Sequence, residues 1–360
     1  MQELDLSYNN FGGKVPDTLW NLTNLMYLHL SYNSFEGTIL TNIGNFVNII
    51  FLHLSNNNFS GELPSQIGNL KNIKYLFLSN NKFGGKIPKN LWNLKSLEYL
   101  YLRNCSLEDF LPDERIEIPL RTLDLGFNDL AGKLPNTIFN IPTLESLYLN
   151  NNDLNDELPD KMSDSLKIID LSNNNLEGYI DPKWNGVALN LINNKFKLED
   201  FKDVSNLKGL ECLQQTSNCF KGEKLFTSFA INCGGEEMES ADGKTIFESD
   251  NNDKTNTYFY VADKNKWAVT FSERFDLINS KKDITYAQDP KLYQSASTSA
   301  KTLKYYGLGL EVGNYTVDLM FANIDDDDDD TYKYIFDIYI QGILEEEDCE
   351  ILKEPAFKKT

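Results

Sequence analysis

The 360-residue sequence contains no run of the roughly 18 to 20 apolar residues that a membrane-spanning helix needs. It has no surplus of positive charge. Against 34 Lys and Arg stand 54 Asp and Glu, a formal charge of −20, which speaks against nucleic acid or an anionic membrane surface as partner, since both would be repelled. Only two histidines occur, His29 and His53, and no Ser or Cys is marked in the sequence as their nucleophilic partner, so no acyl-transfer relay and no catalytic residue are expected. The glycine-bearing stretch at residues 307–313 departs from G-x-G-x-x-G, and no V-A-I-K, H-R-D or D-F-G follows it, so phosphoryl transfer has none of its parts and no cofactor is expected. The chain also lacks a secretory start. Met1-Gln-Glu-Leu-Asp-Leu opens directly into a strand pattern, which reads as a fragment or as a gene model without its upstream part.

What the sequence does hold is a repeat. Asparagine returns at Asn9, Asn33, Asn57 and Asn81, each 24 residues after the last, in the frame L-x-L-x-x-N-x-F-x-G. The register continues at Cys105, Asn128, Asn152, Asn174 and Asn194. A unit of this length cannot bury its apolar face alone and must stack on its neighbours. The reading is an α/β-type leucine-rich-repeat solenoid, mostly short parallel strands and irregular turns, over residues 1–205. The leucines of L-x-L point inward, and the Asn amide serves backbone groups of neighbouring turns. A cysteine-bearing hinge or cap is expected over 206–224. Cys212 and Cys219 bracket a short polar segment there, and a disulfide closing it would stabilise by about 2.5 kcal/mol on the chain-entropy model, the alternative being two free thiols. The cysteine total of five is odd, leaving at least one of Cys105, Cys233 and Cys349 without a partner in the chain.

Function in such a stack belongs on a face. Outward strand positions form two columns, Glu3, Tyr27, Phe51, Tyr75, Tyr99, Thr122, Ser146 and Asp5, His29, His53, Phe77, Tyr101, Asp124, Tyr148. Tyr27, His29, Phe51, His53, Tyr75, Phe77, Tyr99 and Tyr101 make one contiguous aromatic and histidine block, the candidate ligand-binding surface. An apolar patch rimmed by polar residues marks binding sites, whereas the competing account is the β-preference of aromatics on an exposed sheet. The two histidines lie on adjacent turns about 4.8 Å apart, without a third ligand of suitable type, so no metal is expected and a pH-sensitive edge is. N-x-S/T acceptors at Asn21, Asn58, Asn104 and Asn314 are candidate glycosylation sites.

Beyond residue 200 the composition changes to aromatic strands parted by polar turns, at residues 229–235, 267–271, 315–321 and 335–342, which reads as an all-β sandwich over 225–360. The six-Asp run Asp325 to Asp330 reads as a solvated loop, while Tyr258, Phe259, Tyr305 and Tyr306 are either core or sugar-stacking residues.

Two resemblances then enter. The G-x-[IVL]-P segments, Gly13-Lys14-Val15-Pro16, Gly61-Glu62-Leu63-Pro64, Gly85-Lys86-Ile87-Pro88 and Gly132-Lys133-Leu134-Pro135, are similar to the extracellular leucine-rich repeats of plants. Ile231-Asn232-Cys233-Gly234-Gly235, Tyr306-Gly307-Leu308-Gly309-Leu310 with Gly313-Asn314-Tyr315-Thr316-Val317, and the segment from Phe336 to Gly342 resemble the malectin domain. Plant leucine-rich-repeat receptor-like serine/threonine kinases join the two through a cysteine-bearing segment, which is where Cys212 and Cys219 fall. The resemblance implies a malectin-like sandwich truncated at its C-terminus, with Cys349 where an apolar residue is expected, and a location on the extracellular face of the plasma membrane in a parent receptor. It implies recognition of an extracellular peptide or cell-wall glycan, a co-receptor kinase as further partner, and a cytosolic kinase outside this chain. The alternatives are a soluble inhibitor of a pathogen's wall-degrading enzyme and a wall-binding lectin.

Overall fold

Nine three-residue strands, Glu3–Asp5, Tyr27–His29, Phe51–His53, Tyr75–Phe77, Tyr99–Tyr101, Thr122–Asp124, Ser146–Tyr148, Ile168–Asp170 and Ala188–Asn190, form one parallel sheet in chain order. They are seen in a computed structural model that describes residues 1–201, 207, 210–215, 226–250, 259–262, 266–272, 275–279, 289–299, 302–311, 313–321, 335–341, 343–350 and 357–359. The chain divides into two compact units, Met1–Ser217 and Asn218–Thr360.

Six of the eight returns between these strands run through a short helix, usually of the 3-10 kind, anchored by a buried apolar side chain: Trp20, Ile43, Ile67, Leu91, Ile138 and Trp184. The L-x-L leucines lie beneath the sheet, Leu28, Leu52, Leu76, Leu100, Leu123 and Leu147 all at 0% exposure. Phe11, Phe35, Phe59 and Phe83, the aromatic of N-x-F, stack turn on turn with centroids 6.1, 6.3 and 6.4 Å apart. Two three-stranded parallel sheets, beginning at Gly12–Lys14 and at Ala131–Lys133, flank the stack.

The asparagine ladder joins these layers. Nδ2 of Asn81 donates to the carbonyls of Leu54 (3.0 Å), Leu78 (2.9 Å) and Ser79 (3.3 Å), and its Oδ1 accepts the Phe59 amide at 3.0 Å. One side chain thus ties together backbone polar groups of two successive turns away from water, and it supplies the acceptor for the Phe59 amide. The residue just before each ladder position sits in the left-handed region, from Tyr8 (φ 52°) through Asn56 (56°) and Asn80 (55°) to Asn193 (53°). Asn tolerates that conformation better than most residues, which is why it fills so many of these places. The glycine of G-x-[IVL]-P has two reasons to be there. At Gly85, φ is +67° and a Cβ would meet the Glu62 side chain at 2.7 Å.

The second unit consists of small sheets. Ile231–Asn232, Ile246–Ser249 and Met238–Glu239 form one, and Phe259–Val261, Trp267–Ser272 and Thr302–Gly307 another. Three antiparallel pairs complete the described strands: Phe275–Asn279 with Ser295–Ser299, Leu319–Phe321 with Phe357–Lys359, and Ile335–Ile340 with Ile343–Glu350. A core forms where Phe229, Ile231, Tyr260, Leu303 and Tyr305 pack on Ala262, Trp267 and Val269. Of the expected strands, the two around Trp267 and Ile335 span nearly the expected residues. The other two shrink to Ile231–Asn232 and Leu319–Phe321, because Gly234 turns the chain at φ 77° in the first and pairing is confined to the apolar end of the second.

Candidate functional site

Strand register sets the concave platform. Tyr27, Phe51, Tyr75 and Tyr99 lie opposite one another on successive strands, as do His29, His53, Phe77 and Tyr101, so all eight candidate residues share one surface. Their rings pack on one another. Tyr75 and Tyr99 stack at 5.0 Å and 10°, and His29 and His53 at 4.5 Å and 15°. Phe77 stands edge-on to His53 (5.1 Å, 84°) and to Tyr101 (5.0 Å, 85°). This mutual cover narrows the broadly exposed patch expected from sequence. Tyr27, at 43%, is exposed and the other seven are half-buried.

The platform is headed by two carboxylates, since Glu3 pairs in register with Tyr27 and Asp5 with His29. Asp5 Oδ1 accepts from the hydroxyl (2.7 Å) and amide (2.9 Å) of Ser7, which hold the carboxyl below its usual range. Asp5 Oδ2 lies 3.5 Å from His29 Nδ1, and His29 Nε2 lies 2.7 Å from the Ser31 hydroxyl. Asp5, His29 and Ser31 therefore stand in the order of a hydrolytic relay, but Ser31 has 0% exposure and no substrate carbonyl can reach it. His53 is pushed down to about 4, first by burial and then by neighbouring His29. That removes His53 from the pH range near 6.5 in which an unperturbed imidazole titrates and in which the sequence reading placed it. The face-to-face stack also keeps the nitrogen lone pairs of the two rings in parallel planes, which do not converge on one metal at about 2.0 Å.

At its other end the platform closes. Thr122, Asp124 and Tyr148, which the alternation of the sequence places outward, are 9%, 0% and 3% exposed. Arg103, a residue not singled out from sequence, lies over the Phe127 ring at 4.2 Å with Nη1 3.9 Å from Asp124 and 3.4 Å from Asn150 Oδ1. Beside the sheet runs a row of ion pairs. Glu98 meets Lys74 (3.1 Å) and Arg121 (3.7 Å), and Glu145 meets Arg121 (2.8 Å) and Lys167 (2.6 Å). The alternation of sign at one repeat position was legible, though only once the strands were in register.

The remaining candidates lie apart from the platform. Asn21, Asn58, Asn104 and Asn314 are all exposed, and the Asn104 amide donates to Asn80 Oδ1 at 3.2 Å. The backbone of Cys212 belongs to the 3-10 helix Leu210–Leu213, while its side chain and all of Cys219 lie outside the described residues, as do Tyr258 and the run from Asp325 to Asp330. In the second unit Phe259 is 6% exposed, and the Tyr305 hydroxyl donates to Asp250 Oδ2 at 2.7 Å, with Asp250 itself fully buried. Both rings serve the interior.

Comparison with known proteins bears on the same two units. The malectin domain family model matches residues 227–359, and leucine-rich-repeat models match residues 1–22, 24–46, 51–107, 119–141, 143–164 and 165–186. The chain joins leucine-rich repeats to a malectin domain. Its relatives are plant leucine-rich-repeat receptor-like serine/threonine kinases. A probable LRR receptor-like serine/threonine-protein kinase of Arabidopsis thaliana is 37% identical over 203 residues, covering 52% of this chain and 19% of the relative. The chain thus spans about a fifth of that relative's length. Among solved structures, the crystal structure of a TDR receptor aligns with a TM-score of 0.52 at 35% identity, over 55% of this chain and 35% of that one. The leucine-rich-repeat ectodomain of the Arabidopsis receptor kinase HAESA, in complex with an N-terminally extended IDA peptide hormone ligand, aligns at 0.51 and 32% identity, over 54% and 34%. Among the described residues, no helix is long and apolar enough to cross a membrane.

Proposed function

We propose that this chain is the extracellular ligand-recognition region of a plant leucine-rich-repeat and malectin receptor-like kinase, and that its ligand lies on the aromatic platform of the second to fifth turns. The observation that carries this is the contiguity of Tyr27, His29, Phe51, His53, Tyr75, Phe77, Tyr99 and Tyr101 on a rigid sheet, each ring fixed by its neighbours. Pre-set aromatic side chains lose little entropy on binding, which is why such residues dominate hot spots. The peptide-bound HAESA ectodomain, similar in fold, supports a peptide as ligand class. Signalling would pass through a kinase beyond this chain and a co-receptor kinase; Asn21, Asn58, Asn104 and Asn314 would carry glycans, and Cys212 with Cys219 would close the hinge.

The test is calorimetry of the chain against a panel of synthetic secreted-type peptides and of cello-oligosaccharides, wild type beside a Tyr75→Ala/Tyr101→Ala variant. Any panel member that binds should lose about 2 kcal/mol or more in the variant. Equal affinity for both proteins would place recognition elsewhere on the chain.

A further inference from the structure

We propose that the occupant of this platform is a proline-rich peptide in the polyproline II conformation, lying along the solenoid axis with a basic end over Glu3 and Asp5. This rests on the platform reading above and adds the ligand's chemistry, conformation and direction.

Charge complementarity sets the direction. The two columns of rings begin with carboxylates, Glu3 above Tyr27 and Asp5 above His29, two residues apart and so on the same side of one strand. Glu3 is exposed and the Asp5 side chain is 57% exposed, so both can meet a ligand cation. No Lys or Arg stands among the eight rings. Arg103, at the far end, is 13% exposed and held against Phe127 and Asp124, while Lys74 and Arg121 are engaged by Glu98 and Glu145. A ligand bearing phosphate, sulfate or uronate groups would meet, among the described residues bordering the rings, only cations already held by carboxylates. A Lys, an Arg or a free amino terminus would find two carboxylates.

Ring geometry argues against a sugar. Stacking of a pyranose needs an open aromatic face, yet Tyr75 and Tyr99 cover each other, as do His29 and His53. Each stacked pair thus spends one face of both rings on its partner.

Period then selects the conformation. Successive platform rows lie about 4.8 Å apart, so alternate rows lie about 9.6 Å apart. A polyproline II helix repeats every three residues at about 3.1 Å each, about 9.3 Å per turn, which nearly matches two solenoid turns. A β-extended peptide presents one face every two residues, about 6.6 Å, and falls out of step with the rows at once. Tyr27 and Tyr75 stand two turns apart, each with a hydroxyl able to donate to backbone carbonyls, and those of polyproline II have no internal partner.

The experiment measures anisotropy of peptides labelled at the C-terminus, with the full chain titrated in. The first peptide is two lysines followed by an oligoproline segment three polyproline II turns long. The second replaces the two lysines by glutamates, and the third keeps them but replaces the prolines by a Gly-Ser chain of equal length; all are N-acetylated. The lysine-oligoproline peptide should bind, at least tenfold more tightly than either of the others, and weaken as salt is raised. Glu3→Gln/Asp5→Asn should weaken it about tenfold, and Glu3→Gln alone, which leaves the Ser7 and His29 contacts of Asp5 in place, should give a smaller loss in the same direction. No binding of the lysine-oligoproline peptide, equal binding of the three peptides, or indifference to the carboxylate variants overturns the inference. If a panel peptide or cello-oligosaccharide needs Tyr75 and Tyr101 but not Glu3 and Asp5, this inference falls and the platform reading stands. If binding of the lysine-oligoproline peptide survives Tyr75→Ala/Tyr101→Ala, both fall.

Discussion

The thiol of Cys105 approaches the carbonyl oxygen of Leu78 at 3.4 Å, in the place where Asn33, Asn57, Asn81, Asn128, Asn152, Asn174 and Asn194 set an amide against the matching carbonyl of the preceding turn. A thiol is a weak donor and cannot also offer the amide oxygen that Asn81 gives to Phe59. Cys105→Asn should therefore complete the ladder and stabilise the first unit by about 1 kcal/mol. A urea midpoint equal to or below that of the wild type would show that the cavity at 105 is fitted to sulfur.

The converse change is more severe. Asn81→Leu removes the donor to Leu54, Leu78 and Ser79 and the acceptor for Phe59 from a site only 6% exposed. The three carbonyls keep donors from Asn57, Cys105 and Asn56, while the Phe59 amide is stranded, and one stranded buried group costs about 1 to 3 kcal/mol, so a loss of that order is expected. Hydrogen exchange should report it first at the Phe59 amide and its neighbours. Protection unchanged there would mean that water or a backbone shift replaces the amide at little cost.

Periodicity made the solenoid legible, since every turn repeats the same burial problem and solves it with the same leucines and the same asparagine. The eight platform residues were legible for that reason too. What could not be read was how neighbours cover one another. Asp124 and Tyr148 obey the outward alternation yet are buried, and His53 looks like an ordinary imidazole until Phe77 and His29 are placed against it. In the second unit no repeat averages out local error. Residues 315–318 read as strand from their alternation but lie outside the strand Leu319–Phe321, whose pairing with Phe357–Lys359 depends on residues far along the chain.

Thiol chemistry separates the cysteines. Burial pushes Cys105 up to about 12, and burial with the Asp250 carboxylate does the same to Cys233, while burial raises Cys349. Because the thiolate is the nucleophile, these three should resist iodoacetamide at pH 8 in the folded protein and react once it is unfolded. If Cys212 and Cys219 are bonded as proposed, non-reducing peptide maps of secreted protein should recover their two peptides joined. Recovery of both as alkylated thiols would remove the hinge disulfide, and rapid labelling of Cys105 would show that the fifth turn opens.

His53 sets the pH dependence of the first unit. Its folded-state value, about 4, lies below the roughly 6.5 expected of an unfolded chain. Above about pH 6.5 neither state holds the proton and no stability is lost through this residue. As pH falls from there the unfolded state takes up a proton that the folded state refuses, so stability declines until about pH 4, where the folded imidazole charges as well. The full window amounts to a loss on the order of 3 kcal/mol. His53→Phe, which replaces one ring by another between Phe51 and Phe77, should flatten the decline between pH 6.5 and 4 without lowering stability at pH 7. NMR titration of the two histidines gives the direct reading. A His53 resonance that titrates near 6.5, or an equal loss of stability in His53→Phe, would mean that the His29–His53 stack leaves the second ring open to water.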